Sequence, residues 1–285
     1  MHFQWYPGHM TKARRMMQEN IKLIDLIIEL VDARVPLSSR NPDIDELGKN
    51  KARLILLNKS DLAEERINDE WIDYFKDRGY SAVKVNSKKG GGMNQIRSAI
   101  QEACKEKTER DRKRGILNRP VRAMVVGIPN VGKSTFINSL AGKACAKTGN
   151  KPGVTKGKQW IRLNKNVELL DTPGILWPKF EDQVAALRLA ATGAIAGDVF
   201  DADTVVSELM RVLARTAPDA LREKYGIEDA AADPQILLAQ AGKRRGCILP
   251  GGAIDYARVQ TMILNDFRSG KLGRITLDAV PAEEV

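Results

Sequence analysis

The sequence predicts an α/β fold, a doubly wound and mostly parallel sheet followed by a smaller all-helical region. Three observations carry the expectation. Apolar runs at Ile24 to Val31, Leu54 to Leu57 and Val121 to Val126 suit strands buried on both faces of a parallel sheet. Each is followed by a polar or glycine-containing loop that leads into a helical segment. From about Phe180 onward the pattern is helical: Val184 to Ile195, Thr204 to Ala214 and Tyr256 to Phe267 carry apolar residues at helical spacing. The expected domains are therefore 1–178 and 179–285.

Taken in order, the chain opens on an aromatic cluster, His2 to Met10, and a basic helical stretch, Lys12 to Lys22. Two readings stand side by side. The segment caps the domain by packing Trp5 and Tyr6, or it faces RNA or the active site, since both histidines fall here. The strand at Ile24 to Val31 closes on Asp32-Ala33-Arg34-Val35-Pro36, and a helix is expected to end near Lys51. After the strand Leu54 to Leu57 come a helix over Ile67 to Arg78, a strand Ala82 to Val85, a glycine turn at Gly90 to Gly92 and a helix Gln95 to Glu106. Lys105 to Pro120 alternates charges without a core pattern and reads as a helix end plus a solvated linker. Trp160 to Leu163 and Val167 to Leu170 read as a hairpin.

Gly127 to Thr135, Gly-Ile-Pro-Asn-Val-Gly-Lys-Ser-Thr, follows the strand at Val121 and fits the phosphate-binding pattern of glycine, four residues, glycine, lysine and serine or threonine. Gly127 and Gly132 permit the tight turn that points the amides of Asn130, Val131, Gly132 and their neighbours at phosphate oxygens, and the helix from Lys133 adds its positive end. Lys133 is expected to reach the β- and γ-phosphates, and Ser134, followed by Thr135, to offer a hydroxyl to Mg²⁺.

Asn58-Lys59-Ser60-Asp61 after a buried strand indicates the base. Guanine presents two donors, N1–H and the exocyclic amine, and the Asp61 carboxylate can accept both, an arrangement adenine cannot supply. Asn58 can support the loop and reach N7, while the stem of Lys59 covers the ring. The small polar residues Asn86-Ser87-Lys88 can present amides to the guanine oxygen. Beside a phosphate loop, the tetrapeptide points to GTP.

Lys143 to Gln159 is a long, polar and basic loop, a length expected of a functional segment. Within it, Thr155 is placed to close its hydroxyl on Mg²⁺ and its amide on the γ-phosphate. Asp171-Thr172-Pro173-Gly174 ends the next strand; Asp171 is expected to hold a Mg²⁺-bound water and the Gly174 amide to touch the γ-phosphate. Loops held by that phosphate are released on hydrolysis.

The formal charge of +10 is uneven: residues 121–180 carry 10 Lys and Arg against 2 Asp and Glu, whereas 181–285 carry 12 against 16. The basic surplus exceeds what one nucleotide needs and points to a polyanion, RNA being the economical choice and a solvated basic face the alternative. Cys104, Cys145 and Cys247 lack paired metal-ligand spacing and argue for a reducing compartment. With neither a membrane-length apolar run nor a signal-peptide core, a cytoplasmic, soluble protein is expected, and a monomer is taken as its working state.

Together these motifs resemble the circularly permuted GTPases. The usual order is phosphate loop, switch threonine, Asp-x-x-Gly, Asn-Lys-x-Asp, small polar base loop. Here Asn58 to Asp61 and Asn86 to Lys88 come first. With Trp5 to Met10, Asp32 to Pro36 and Lys243 to Cys247, the chain is similar over essentially its full length to members that assist late assembly of the bacterial large ribosomal subunit. The resemblance implies a permuted Ras-like domain that hydrolyses GTP to GDP, binds ribosomal RNA or the precursor subunit in the GTP state and leaves on hydrolysis. It also implies an RNA-binding helical domain, with Lys243 to Arg245 and Arg268 to Arg274 as local phosphate contacts. The alternative is a GTP-dependent checkpoint module whose hydrolysis is incidental. Ile175 stands where Ras-like enzymes keep a water-orienting glutamine, a substitution typical of the resembled family, so turnover is expected to be slow alone and stimulated by the subunit. His9 is the candidate for completing the site, with local packing or RNA contact as its other reading. Asn130 matches the position that in related GTPases helps hold K⁺ near the β–γ bridge.

Overall fold

The computed structural model describes residues 8–116, 119–146, 159–177, 182–195 and 200–281, the side chains of residues 8 and 9 excepted. The chain divides into two compact units, residues 1–180 with 278–285, and residues 181–277.

The first unit is built on six strands: β1 (Leu26–Asp32), β2 (Ala52–Asn58), β3 (Ser81–Val85), β4 (Val121–Gly127), β5 (Gln159–Arg162) and β6 (Val167–Asp171). They lie in the order β3-β2-β1-β4-β6-β5, and every neighbouring pair is parallel except β5 with β6. The apolar runs thus form the sheet interior, because a strand covered on both faces has no solvent side on which to place polar residues. Mid-sheet, Glu29 departs from that rule. Glu29 stands mid-strand in β1, 1% exposed, where the Arg53 guanidinium donates to it at 2.6 Å and Arg40 lies 3.5 Å away. A buried carboxylate persists only with such partners, and these two arginines supply them inside the sheet.

Successive strands β1, β2 and β3 run outward on one side, and β4 then returns to pair with the opposite edge of β1. The strand order therefore reverses between β1 and β4. In an open α/β sheet such a reversal leaves a crevice at the carboxyl ends of the strands, the usual ligand position. The flanking helices are α1 (Gly8–Asn20), α2 (Pro42–Leu47), α3 (Glu65–Asp77), α4 (Met93–Ala103), α5 (Lys105–Lys113) and α6 (Lys133–Ala141). From α3, Trp71, Ile72 and Phe75 bury against Val31, Ile55 and Leu57 of the sheet.

The charged stretch after Glu102 differs from the solvated linker expected of it. It forms α5, whose other basic residues lie exposed while Lys107, with Arg119 after it, is anchored. Asp25, just before β1, lies 3.4 Å from Lys107 and from Arg119 and accepts from the Arg122 amide at 3.1 Å. One nearly buried carboxylate thus holds α5, the segment after it and the start of β4.

The second unit contains α7 (Gln183–Thr192), α8 (Ala202–Thr216), α9 (Pro218–Tyr225), α10 (Pro234–Arg244) and α11 (Tyr256–Arg268) around a core that includes Leu189, Val206, Leu213, Leu238 and Ile263. Asp182, Asp201, Asp233 and Asp255 cap four of these helices by accepting from first-turn amides. Their placement accounts for much of the acidic surplus here: the carboxylates meet orphan amides at the positive helix ends. Two helices were not anticipated, α9 and α10. Each begins at a proline, which ends a helix from within but starts one well at the first position. Arg268 is committed internally, donating to the Ala191 and Ala190 carbonyls at 2.8 and 2.9 Å, so it caps α7 rather than presenting a free cation.

After the helical unit the chain rejoins the first. Asp278 accepts from the Ser38 amide and hydroxyl, both at 2.7 Å, and Val280 packs on the Trp71 cluster.

Candidate nucleotide site

The carboxyl ends of five strands meet along one edge of the sheet. Asp32 of β1 pairs in register with Asn58 of β2, Asn58 with Val85 of β3, Leu30 of β1 with Gly127 of β4, and Val125 of β4 with Asp171 of β6. Motifs scattered from residue 32 to residue 174 become neighbours for this reason alone.

The loop after β4 turns through positive φ at Gly127 (150°), Asn130 (57°) and Gly132 (103°) before α6 starts at Lys133. At Gly132 a side chain is excluded twice, by φ and because a Cβ would lie 2.5 Å from Asn58 Nδ2. Ser134 and Thr135 sit half-buried in the first turn of α6. The Lys133 ammonium is buried and donates to the Gly127 and Ile128 carbonyls at 2.9 and 3.0 Å. Burial lowers it to about 8 against the opposing pull of Asp171. Burial likewise raises the Asp171 carboxyl, with Lys133 and the Thr172 amide pulling the other way. At Gly174 a Cβ would meet Pro129 Cα at 2.8 Å and Lys133 Nζ at 3.0 Å, so this backbone passes directly over the phosphate loop and its lysine.

Asn58 has a larger part than the sequence suggests. Its side-chain amide donates to the Val131 carbonyl at 2.7 Å, and its oxygen accepts from the Ser87 amide at 3.1 Å. One buried side chain therefore fastens the phosphate loop and the loop after β3 to the end of β2. Lys59, itself left-handed at φ 59°, donates to the Asn130 carbonyl at 2.9 Å. Ser60 donates to the Val85 carbonyl at 3.0 Å, and Asp61 lies half-buried in the 3₁₀ turn Ser60–Leu62. Asn86 pairs with Gly91 through both backbone groups and accepts from the Lys89 amide, which closes its turn; Lys88 is exposed.

Among the described residues, Asp171 Oδ1 and Ser87 Oγ in this crevice are buried without a hydrogen-bond partner. Such atoms are costly unless a ligand satisfies them. Asp171 Oδ1 is a carboxylate oxygen with lone pairs to spare, and with the Ser134 hydroxyl on the neighbouring element it gives the hard oxygen donors that suit Mg²⁺. Ser87 Oγ, on the loop expected to face the base, can donate or accept.

Thr155 lies outside the described residues, as does the side chain of His9, whose backbone belongs to α1. Both flanks of the segment bearing Thr155 are tied together: Asn138 of α6 accepts from the Cys145 and Ala146 amides at 2.9 and 2.7 Å, and Gln159 donates to the Cys145 carbonyl at 2.9 Å. Ile175, in the position expected of a water-orienting side chain, is 1% exposed, and its amide meets the Gly127 carbonyl at 3.3 Å.

Sequence reasoning assigns no role to Asp32 or Arg34 beyond the stretch Asp32 to Pro36 that carries part of the resemblance. Arg34 grips Asp32 through Nε at 2.9 Å and Nη2 at 2.7 Å, and Lys59 Nζ lies 2.9 Å from the same carboxylate. Burial acts to raise the Asp32 carboxyl, but Arg34 and Lys59 together overcome it and hold it well below the usual carboxylate range. The available signal was an acidic residue ending a strand on the ligand edge.

The family model for "50S ribosome-binding GTPase" matches residues 122–227. The ribosome biogenesis GTPase A of Bacillus cereus is 50% identical over 278 residues, 98% of this chain and 94% of its own. That of Thermotoga maritima is 30% identical over 274 residues, 96% and 93% of the two chains. Among solved structures, GNP-bound YlqF from T. maritima matches with a TM-score of 0.66 at 26% identity, covering 94% of this chain and 97% of that one.

Proposed function

The chain belongs to the ribosome biogenesis GTPase A family, with its permuted P-loop GTPase fold, and from that premise we propose that it binds GTP in the crevice above and assists assembly of the large ribosomal subunit. The observation that carries the reading is the double tie of Asn58 and Lys59 to the phosphate loop. It brings Asn58 to Asp61 beside the loop at Gly127 to Thr135, far away in sequence and in inverted order, which supports reading the two as base and phosphate contacts of one nucleotide.

In this reading Asp61 accepts the two guanine donors, the stem of Lys59 covers the ring and the loop at Asn86 to Lys88 meets its oxygen. The amides of Asn130 to Thr135 and the Lys133 ammonium receive the phosphates. Ser134, Thr155 and, through water, Asp171 would hold Mg²⁺, which would neutralise charge developing between the β- and γ-phosphates. The Gly174 amide contacts the γ-phosphate, so the backbone leading out of the GTPase unit differs between the GTP and GDP states.

Turnover is slow alone and rises on the ribosomal precursor. Ile175 supports this, since an isoleucine can neither donate to nor accept from water. The same observation favours a second reading, a GTP-gated checkpoint in which hydrolysis is incidental. His9 is the proposed residue that completes the site, and Asn130 the proposed K⁺ ligand. Unchanged stimulated turnover in His9→Ala with normal nucleotide uptake, and equal turnover in Na⁺ and K⁺, would remove each in turn.

The ribosomal partner is RNA and precursor subunit, met by the basic surplus of residues 121–180 and by Lys243 to Arg245, all three exposed. Co-sedimentation with large-subunit precursors tests the whole. The expected result is retention with a non-hydrolysable GTP analogue and release with GTP. Retention with both favours the checkpoint reading, and equal binding without nucleotide defeats both.

A further inference from the structure

From the geometry at the end of β1 we infer that Asp32 and Arg34 are positioning residues for guanine-nucleotide binding, acting through Lys59. The inference rests on the guanine-nucleotide reading of the site and adds to it a pair of residues that touch no nucleotide.

Asp32 ends the central strand and sits in register with Asn58, one residue before Lys59. Its carboxylate is fully committed in space. Arg34 Nε donates to Oδ1 at 2.9 Å and Nη2 to Oδ2 at 2.7 Å, and the Arg34 amide adds a third donor to Oδ1 at 3.1 Å. Behind it the Asp32 amide donates to the Ser39 hydroxyl at 2.9 Å, and that hydroxyl donates in turn to the Val35 carbonyl at 2.6 Å. Asp32 and Arg34 are 1% and 2% exposed. A buried carboxylate gripped in this bidentate way cannot rotate and stays ionised.

The face of this carboxylate toward the crevice meets Lys59 Nζ at 2.9 Å, and the same ammonium donates to the Asn130 carbonyl at 2.9 Å. Both residues bracketing that second contact, Lys59 and Asn130, have left-handed backbones, which non-glycine residues rarely adopt. A lysine side chain otherwise samples many rotamers, so an anchored charge at its tip removes freedom that would be lost on meeting the base. Unlike a surface pair, the anchor is desolvated on one side only: the Lys59 side chain keeps 25% exposure while Asp32 keeps 2%. With its tip held by Asp32 and Asn130, the lysine stem is the portion left for the ring. One carboxylate thereby sets the base platform and, through Asn130, the shape of the phosphate loop.

A plain structural role predicts lost stability with no dependence on Lys59. A positioning role predicts lost affinity that disappears once Lys59 is gone. The test is equilibrium binding of a fluorescent GDP analogue to the full chain in four forms: wild type, Asp32→Asn with Arg34→Met, Lys59→Met, and all three substitutions together. Replacing both buried charges at once avoids stranding one of them. The pair variant is expected to lose about tenfold in affinity, as for removal of a charge-assisted contact, with no further loss when added to Lys59→Met. Affinity equal to wild type overturns the inference, and so does an equal loss in the Lys59→Met background. Should the pair variant fail to give a cooperative melt, Arg34→Lys is measured instead. It keeps a cation but loses the fork, and a loss of two- to threefold that again vanishes with Lys59→Met is expected. An additive or absent effect there also overturns the inference. If wild type itself takes up adenine and guanine analogues equally, the reading of the pocket fails rather than this inference alone.

Discussion

At the residue scale, Lys133 is a side chain whose chemistry the fold plainly alters. Burial draws its ammonium from 10.5 to about 8 against the attraction of Asp171. A lysine whose folded value is depressed costs stability where it must stay charged. The cost is complete below pH 8 and is relieved as pH climbs from about 8 toward 10.5, so this group alone makes stability rise across that window. A polyphosphate against the ammonium acts in the opposite sense and returns the proton. We therefore expect proton uptake when GDP binds near pH 8, seen by calorimetry in two buffers of different ionisation enthalpy. Lys133→Met should abolish the uptake, and equal heats in both buffers with wild type would place Lys133 away from the phosphates. The phosphate loop itself was legible from sequence because its glycines and lysine are fixed by local chemistry. What Lys59 and Asn58 grasp was not, since those partners lie more than seventy positions away, at Asn130 and Val131. A chain reading supplies residue types; pairing across that distance is set by strand order.

At the scale of elements, the joint between α5 and β4 is where a permuted sheet must be closed. Asp25 holds it, meeting Lys107 and Arg119 at 3.4 Å and the Arg122 amide at 3.1 Å with 6% of its side chain exposed. Asp25→Ala removes the acceptor these donors share, leaving Lys107 to Asp111 at 2.7 Å and the Arg122 amide without its side-chain partner, and is expected to cost the GTPase unit about 1–2 kcal/mol in urea unfolding, the size for a lost, partly buried hydrogen-bonded carboxylate. A change below about 0.5 kcal/mol, the level of ordinary surface substitutions, would show the joint to be held by its backbone alone. The central strands were readable because their apolar runs mark a sheet covered on both faces. α5, α9 and α10 were not. The first has no apolar stripe, with no buried residue along its length, and the other two open on Pro218 and Pro234. Position, rather than residue type, makes those prolines helix starters.

At the scale of the whole molecule, the last stretch of chain belongs to the first unit. Asp278 takes two donors from Ser38, 240 residues away, and Val280 joins the cluster around Trp71. No periodicity announces such a return. Asp278→Ala is expected to lower the stability of the GTPase unit by about 2 kcal/mol, for two lost hydrogen bonds and an unpaired buried amide, with the helical unit's own transition unmoved. Melting followed separately by Trp71, in the first unit, and by a label on the helical unit distinguishes the two. A shift confined to the helical unit would contradict the assignment of the tail.

The helical unit is consequently an insertion, spliced into its host, with covalent joins on either flank. A protease that severs one flank leaves it leashed by the other, so shedding this module demands two scissions where an appended tail would need one.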